Sequence, residues 1–474
     1  MAYFPVELAG GTYKHTDLSL SAQRTINYWP QRQEGGNEKS PFVLESFYGL
    51  KSFCSGTGLN RGLFEHRGVA YHLHGTTLSS ISSAGVRTTL GTIPGDSRAV
   101  FDGIGSSIVI TADGVAYEWD GSTLTTATDG DFETPQTVTV LNNQAIYDGD
   151  GGRFATSDVG LPLTLNALNY GTAESKADDI VRPFAFGTIV HMFGVKTIEQ
   201  WWNTGEGTPP FARIEDGTIK IGLGATHTIA TDDNSIFFFA DDKQVYSLVG
   251  SIATPLLPLD IVREIEGFST ISDATAWTMQ LDAQWFYVLK FPTADRTFAY
   301  PIPKLSPQTI QARGLWFELS SGVTGARYNG DAYTFAYNKH LVADEDGDIF
   351  ELDIDTFDED GSAIKRTRIL APIHGGTFGK PGKEVEISFL KLIGATGRGI
   401  PTGQGSAPQI MLRYSQDGEN FSNEIRGDVG KLGVQTEVVF EIGESFETWV
   451  FEITSTDPVY SNWHHAGVEM EISI

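Results

Sequence analysis

The chain carries a single cysteine, Cys54, which excludes an intrachain disulfide framework and reads as a small buried hydrophobe. No apolar run reaches about 18 residues, so no membrane-spanning helix or stable membrane insertion is expected. The first residues lack the charged-then-apolar pattern of a secretory leader. Basic residues are scarce: 33 Lys and Arg stand against 60 Asp and Glu, a formal charge of −27. Tight nucleic-acid binding is therefore disfavoured, because phosphate affinity comes from basic side chains that release counterions. DNA that passes by without sticking remains compatible. Helical periodicity is rare as well. Residues 260–266 (DIVREIE) form one short helical signal, with Asp260 as the expected cap and Gly267 as its end.

What is abundant points to an all-β chain: 53 glycines and 29 phenylalanines, with strand patterns nearly everywhere. Residues 68–80 (GVAYHLHGTTLSS) recur at 114–126 as GVAYEWDGSTLTT, an offset of 46. A short self-similar unit of two strands around a glycine turn suggests stacked blades of a propeller. Val69, Tyr71 and Leu73 should face one way, and Ala70, His72 and His74 the other. Residues 235–250, 285–300 and 333–353 repeat the grammar of apolar run, turn and second strand. Runs such as 236–240, apolar at consecutive positions, fit strands covered on both faces.

Six or seven such units are expected. The organisation read from the sequence is an extended arm over 1–57, a β-propeller over 58–365 and a β-sandwich-like domain over 366–474. The arm is marked by Pro5, Pro30, Pro41 and two glycine pairs. Residues 167–181 read as an exposed loop or an insertion between blades.

Catalytic and metal signals are poor. His66, His72 and His74 invite a metal reading, but Glu118 and Asp120 take the places of the last two in the second copy, which suggests a merely polar face. The acidic passage 343–361 fails the spacing of a calcium loop and reads as β-turns. Residues 374–383 fail the phosphate-loop spacing. Residues 415–421 (SQDGENF) look like a degenerate Asp-box turn, which keeps a sialidase-like, glycan-active hydrolase as the alternative reading. The simpler expectation is a hairpin tied by Asp417 over Phe421. No catalytic residue, metal ligand or cofactor site is assigned, and the chain is not expected to be an enzyme.

Four stretches carry a family resemblance: SAQRTINYWPQ (21–31) with FYGLKSF (47–53), GLNRGLFEHRGVAYHLHGTTLSSI (58–81), the run 221–266 from IGLGATH to DIVREIE, and PQIMLRYSQDGENFSNEIRGDVGKLG (408–433) with FEITSTDP (451–458). Taken in order they resemble the packaged-DNA stabilisation protein of short-tailed bacteriophages, the tail accessory factor that forms the tail hub or nozzle. The resemblance implies a structural virion protein, made in the host cytoplasm, that assembles as a homohexameric ring below the portal–adaptor complex. Further implied partners are a plug or needle protein, tail fibres or spikes, and double-stranded DNA ejected through the channel without sequence-specific binding. An acidic duct wall would keep DNA off the surface over about one Debye length, roughly 8 Å at physiological salt. Asp344, Glu345, Asp346 and Asp348 are the candidate lumen-facing acids. The less charged stretches, namely the Pro-Gly arm and aromatic positions such as Trp201, Trp202 and Trp463, are the expected subunit contacts.

Overall fold

The computed structural model describes residues 2–33, 40–173, 178–207, 209–303 and 315–472. Hydrogen bonding arranges most of residues 60–353 into antiparallel four-stranded units. The first comprises Asn60–His66, Val69–His74, Thr77–Ile81 and Arg87–Thr92. The units open with Asn60–His66, Val100–Ile104, Val138–Leu141, Ile180–Phe186, Ala230–Thr231, Thr275–Leu281 and Ala332–Ala336, which makes seven blades.

Strand residues alternate between faces, so each blade feeds two apolar layers. Tyr71, Leu73 and Leu78 of the first blade pack with Ile108, Ile110 and Tyr117 of the second. On its other side Leu63, Ala70 and Ile81 meet Ala336, Leu341 and Ile349 of the seventh. The ring is therefore closed by side chains between last and first blades. Consecutive apolarity has the expected cause: Ile236, Phe237, Phe238 and Phe239 are all buried, and their two faces serve different layers.

The sequence repeat does not mark the blade period. Successive blades begin at Asn60, Val100 and Val138, closer together than the 46-residue offset. Val69–His74 and Thr77–Ile81 are second and third strands, whereas Val115–Trp119 and Leu124–Thr126 are third and fourth. What recurs is a hairpin entry. Arg67 (φ 53°) with Gly68 (φ 82°) and Asp113 (φ 50°) with Gly114 (φ 75°) supply the two left-handed residues of a tight turn. Such a turn suits any pair of neighbouring strands, so its sequence can recur out of phase.

Of residues 2–33 and 40–54, six strands are described, and each of them is paired. Gly49–Cys54 adds the outer strand to the seventh blade, with Cys54 opposite Ile349 and Gly49 opposite Asp353. Ala22–Ile26 lies between Phe317–Glu318 and Arg366–Ile369. Phe42–Ser46 joins Asn462–Ile472, which also pairs with Ala2–Val6. Hydrogen bonding does not break at residue 366: the sixth blade, Ala22–Ile26 and the strands Arg366–Ile369, Thr448–Ser455, Gln409–Ser415 and Ile425–Asp428 form one sheet.

A second sheet, built on Val385–Gly394, Val438–Phe446 and Asn462–Ile472, shares a core with part of the first. Leu390, Phe440, Trp449, Phe451 and Trp463 fill that core, together with Leu8, Tyr28 and Leu44 from the amino-terminal segment.

The helix is Leu259–Glu266, with Ile261 and Ile265 buried beneath the fifth and sixth blades. Asp260 does not cap it. The cap position is Pro258, and the Asp260 carboxylate turns away to accept the Lys14 backbone N–H at 2.8 Å. Gly267 ends the helix as expected, though in right-handed conformation.

Candidate functional site at the seam of the ring

The acidic turn 344–348 joins two strands of the seventh blade, Lys339–Ala343 and Ile349–Asp353. Three of its four acids are committed within the chain. The Asp344 carboxylate accepts the backbone N–H groups of Asp346 (3.1 Å) and Asp348 (2.9 Å), which is how an acidic residue fixes its own turn. Burial, with Asp348 and Asp346 nearby, pushes its pKa up. Asp348 accepts the Gly56 N–H at 2.7 Å and so holds the segment that enters the first blade. Glu345 takes Arg327 at 2.6 Å and Lys290 at 3.0 Å. Burial would raise its pKa, but these two cations outweigh it and hold it down. Asp346 alone is exposed.

Beneath the turn lies a charge cluster that sequence reasoning missed. Lys290 is buried, and its ammonium faces Asp331 Oδ1 (3.4 Å), Glu345 and the Gly330 carbonyl (3.1 Å). Asp331 Oδ2 accepts from Arg98 Nη2 (2.5 Å) and Asn60 Nδ2 (2.7 Å). Lys290 belongs to the sixth blade, Asp331 immediately precedes the seventh, Asn60 starts the first and Arg98 precedes the second. One carboxylate thus links four blades across the seam. No local pattern announces it, because its partners are far apart in sequence.

The histidines sit beside this seam. His72 and His74 share a face, with ring centroids 5.1 Å apart. Asn60 Oδ1 lies 3.0 Å from His72 Nε2, and Arg87 Nη1 donates to Nδ1 at 2.8 Å. Burial and the Arg87 charge hold that ring neutral, its pKa well below the ordinary value. His74 is engaged by the Thr57 carbonyl at 2.8 Å and by Ser79 Oγ at 3.3 Å. His66 is on a different strand and meets the Gly105 carbonyl. Glu118 and Asp120 do not occupy equivalent places, since they lie on and after a third strand. Among the described residues, no group of three or more His, Cys, Asp or Glu is placed to hold a metal ion.

The Asp-box-like stretch builds the turn after Gln409–Ser415, before Ile425–Asp428, in the carboxy-terminal part of the sheet that continues the sixth blade. Asp417 Oδ1 accepts the N–H groups of Glu419 and Asn420, both at 2.8 Å, while Oδ2 accepts Asn420 Nδ2 at 2.7 Å. These donors hold the carboxyl well below the usual range. Phe421 packs with Ala22, Ile369 and Val450, and the Arg413 guanidinium lies over its ring at 5.1 Å. Asp417→Ala is expected to speed amide exchange at Glu419 and Asn420 while the blades keep wild-type protection. Unchanged exchange at those two amides would show that the carboxylate does not hold the turn.

Two of the three tryptophans expected at subunit contacts are internal. Trp463 is buried in the shared sheet core, and Trp201 packs edge-on against Phe154 at 5.0 Å. Trp202, 48% exposed, alone is open to a partner. Of the stretch 167–181, residues 174–177 lie outside the described residues; Leu161–Thr172 is the outer strand of the third blade rather than a loop.

The sequence pattern of one family, described as phage stabilisation, bacteriophage P22 Gp10, β-propeller, matches residues 4–357. No curated protein sequence matches the chain. Among solved structures, the chain is similar to the computationally designed Ika8 protein, at 15% identity over 70% of this chain and 100% of that one, TM-score 0.40. It is also similar to the WD40 β-propeller domain of Doa1, at 10% identity over 65% and 98%, TM-score 0.42. A third is BamB from Moraxella catarrhalis, at 11% identity over 74% and 96%, TM-score 0.36.

Proposed function

The chain belongs to the bacteriophage P22 Gp10 β-propeller family, and from that membership we propose that this phage structural protein forms a hexameric tail ring, a hub or nozzle below the portal and adaptor. In this reading the ring retains packaged DNA together with a plug protein, carries fibres or spikes, and later conducts the genome outward. The observation that carries the reading is family membership over most of the chain joined to a formal charge of −27. Acid repels a polyanion carrying about one charge per 1.7 Å of duplex axis, whereas a basic wall would hold it by counterion release. Several basic residues are occupied within the chain: Arg61, Arg366 and Arg368 are buried, and Arg98, Lys290 and Arg327 are paired with acids. The glycan-active alternative gains no observation in its favour.

Adding the purified chain to DNA-filled heads that carry the portal and adaptor tests this reading. Cryo-electron microscopy should show a six-subunit ring that lowers DNA leakage; no association, or leakage unchanged by a bound ring, would defeat it. For the duct wall, Asp346→Lys is the clean probe, because that side chain alone in the turn is exposed. It should leave the melting temperature within a degree or two and slow DNA release, most strongly at low salt, since exposed charge is screened within about 10 Å at 0.1 M. Unchanged release kinetics would remove this turn from the duct wall.

A further inference from the structure

The ring closes between its first and seventh blades, and one guanidinium spans the closure. Arg87 begins the fourth strand of the first blade. Its Nε donates to the Ser55 carbonyl at 2.8 Å, and its Nη2 donates to the Gly347 carbonyl at 2.6 Å in the acidic turn of the seventh blade. The third contact is His72, whose Nδ1 lies 2.8 Å from Arg87 Nη1. Packing here is close: a Cβ on Gly56 would stand 2.5 Å from Arg87 Nη2. Arg87 thus ties both the entry segment and the acidic turn to the first blade, and the imidazole steadies its fork.

Hydrogen-bond chemistry fixes the protonation of His72 in this arrangement. Asn60 Nδ2 donates to Asp331 and Asn60 Oδ1 accepts the Gly62 N–H at 3.2 Å, so the amide has one orientation. His72 Nε2 faces that oxygen at 3.0 Å and must be the donor. A guanidinium carries donors only, so His72 Nδ1 must be a bare acceptor and the ring neutral. A second proton would sit on Nδ1 and point at an Arg87 N–H. The surroundings do not offset that clash. His74 stacks on the ring from the same strand, and Ser79 stands opposite on the third strand. Asp331, behind Asn60, is engaged by Arg98 and Lys290. Across the closure Asp348 accepts the Gly56 N–H, and Asp344 accepts the backbone of its own turn. The nearby Cys54 thiol, its pKa raised by burial, adds no charge. Burial and then the Arg87 and His74 charges hold the His72 pKa well below its ordinary value.

We propose that His72 and Arg87 form a proton-sensitive latch at the closure of the ring. A proton taken from solvent at His72 Nδ1 turns that acceptor into a donor and expels the Arg87 guanidinium. The bonds to the Ser55 and Gly347 carbonyls go with it, and the entry segment and acidic turn come away from the first blade. Linkage sets the sign. A histidine whose folded pKa lies below the unfolded value of about 6.5 stabilises the fold fully above that value, and the contribution drains away as pH falls below it. Asp331 titrates far lower, at about 2. Acid opening of the latch should therefore begin while the seam carboxylate is still charged.

The test follows the full chain by amide exchange, corrected for its intrinsic pH dependence, and by NMR of the imidazole nitrogens. Two amides cross the closure: Gly56 N–H, which donates to Asp348, and Asn60 N–H, which donates to the Glu345 carbonyl at 2.9 Å. Their opening should grow about tenfold per pH unit below about pH 6.5, the mark of one proton taken up on opening. The third and fourth blades should keep their protection. Near pH 7.5 His72 should carry its proton on Nε2 alone. His72→Gln is the main variant, because an amide can still donate to Asn60 and accept from Arg87 but takes no proton. It should keep both amides protected near pH 7.5 and flatten their acid response. That flattening also separates His72 from Asp344, whose carboxyl burial pushes up. Arg87→Met supplies the comparison if His72→Gln does not fold: both amides should already open near pH 7.5, and His72 should titrate at higher pH. A proton on Nδ1 near pH 7.5, an undiminished acid response in His72→Gln, or wild-type protection and His72 titration in Arg87→Met would overturn the proposal.

Discussion

A chain lacking residues 2–54 is expected not to fold cooperatively. The deletion strips the outer strand from the seventh blade and the strand that joins the sixth blade to Arg366–Ile369. It also removes Leu8, Tyr28 and Leu44 from the shared sheet core, leaving Trp449 and Trp463 facing water on that side. The most exacting loss is at Arg368, whose buried guanidinium donates to the carbonyls of Leu8 (2.7 Å) and Gly11 (3.0 Å), to Thr25 Oγ1 (2.9 Å) and to Gln23 Oε1 (3.0 Å). All four acceptors lie in the deleted segment. A buried charge stripped of its partners costs several kcal/mol by itself. Near-ultraviolet circular dichroism and limited proteolysis should show lost tertiary packing. A sharp melt within a few degrees of the full chain would show instead that the segment is an appendage. Arg368→Met probes the same link more gently and should cost about 2–4 kcal/mol, because it leaves buried acceptors unmet at roughly 1–3 kcal/mol each.

The dependence on residues 2–54 shows where sequence reading stopped. Blades were legible because turn chemistry and strand periodicity are local: the pairing of Gln284–Phe291 with Arg296–Ile302 follows from two apolar runs around a short turn. Phase was not legible, since the Arg67–Gly68 turn works equally well between any two strands. Non-local partners left still less trace. Gly49–Cys54 and Ile349–Asp353 are ordinary strands apart, and nothing in either specifies the other across some three hundred residues. The acids of 344–348 show the same limit. Their number was visible, but their use was not: Glu345 looks like surface charge until Lys290 and Arg327 are placed beside it. Composition therefore overstates the free acid of this turn, and Asp346 is what remains of it. Trp463 errs the other way, as its few charged neighbours reflect a core rather than an interface.

Asp331→Ala is expected to destabilise the propeller by about 3–5 kcal/mol at neutral pH, the range for removing one partner of a buried pair. Lys290, 1% exposed at its side chain, would keep only Glu345 and a carbonyl, and Arg98 and Asn60 would lose their shared acceptor. The damage falls at the seam, where the seventh blade meets the first two, so the ring should open there first. Hydrogen exchange should rise earliest in Asn60–His66 and Ala332–Ala336.

The pH dependence supplies an independent check. Burial alone would raise the Asp331 pKa, but Arg98 and Lys290 outweigh it and hold the value at about 2, below the unfolded value of roughly 3.9. A depressed carboxyl stabilises the fold fully above the unfolded pKa, and that stability fades as pH falls toward the folded one. The wild-type chain should therefore lose on the order of 2–3 kcal/mol from this group between about pH 4 and pH 2. The alanine variant should show a shallower decline over the same window. Urea midpoints measured at neutral pH and across the acid range decide the matter. A variant within about 1 kcal/mol of wild type, with an equally steep acid decline, would mean that the four blades are held at the seam by their apolar layers and not by this carboxylate.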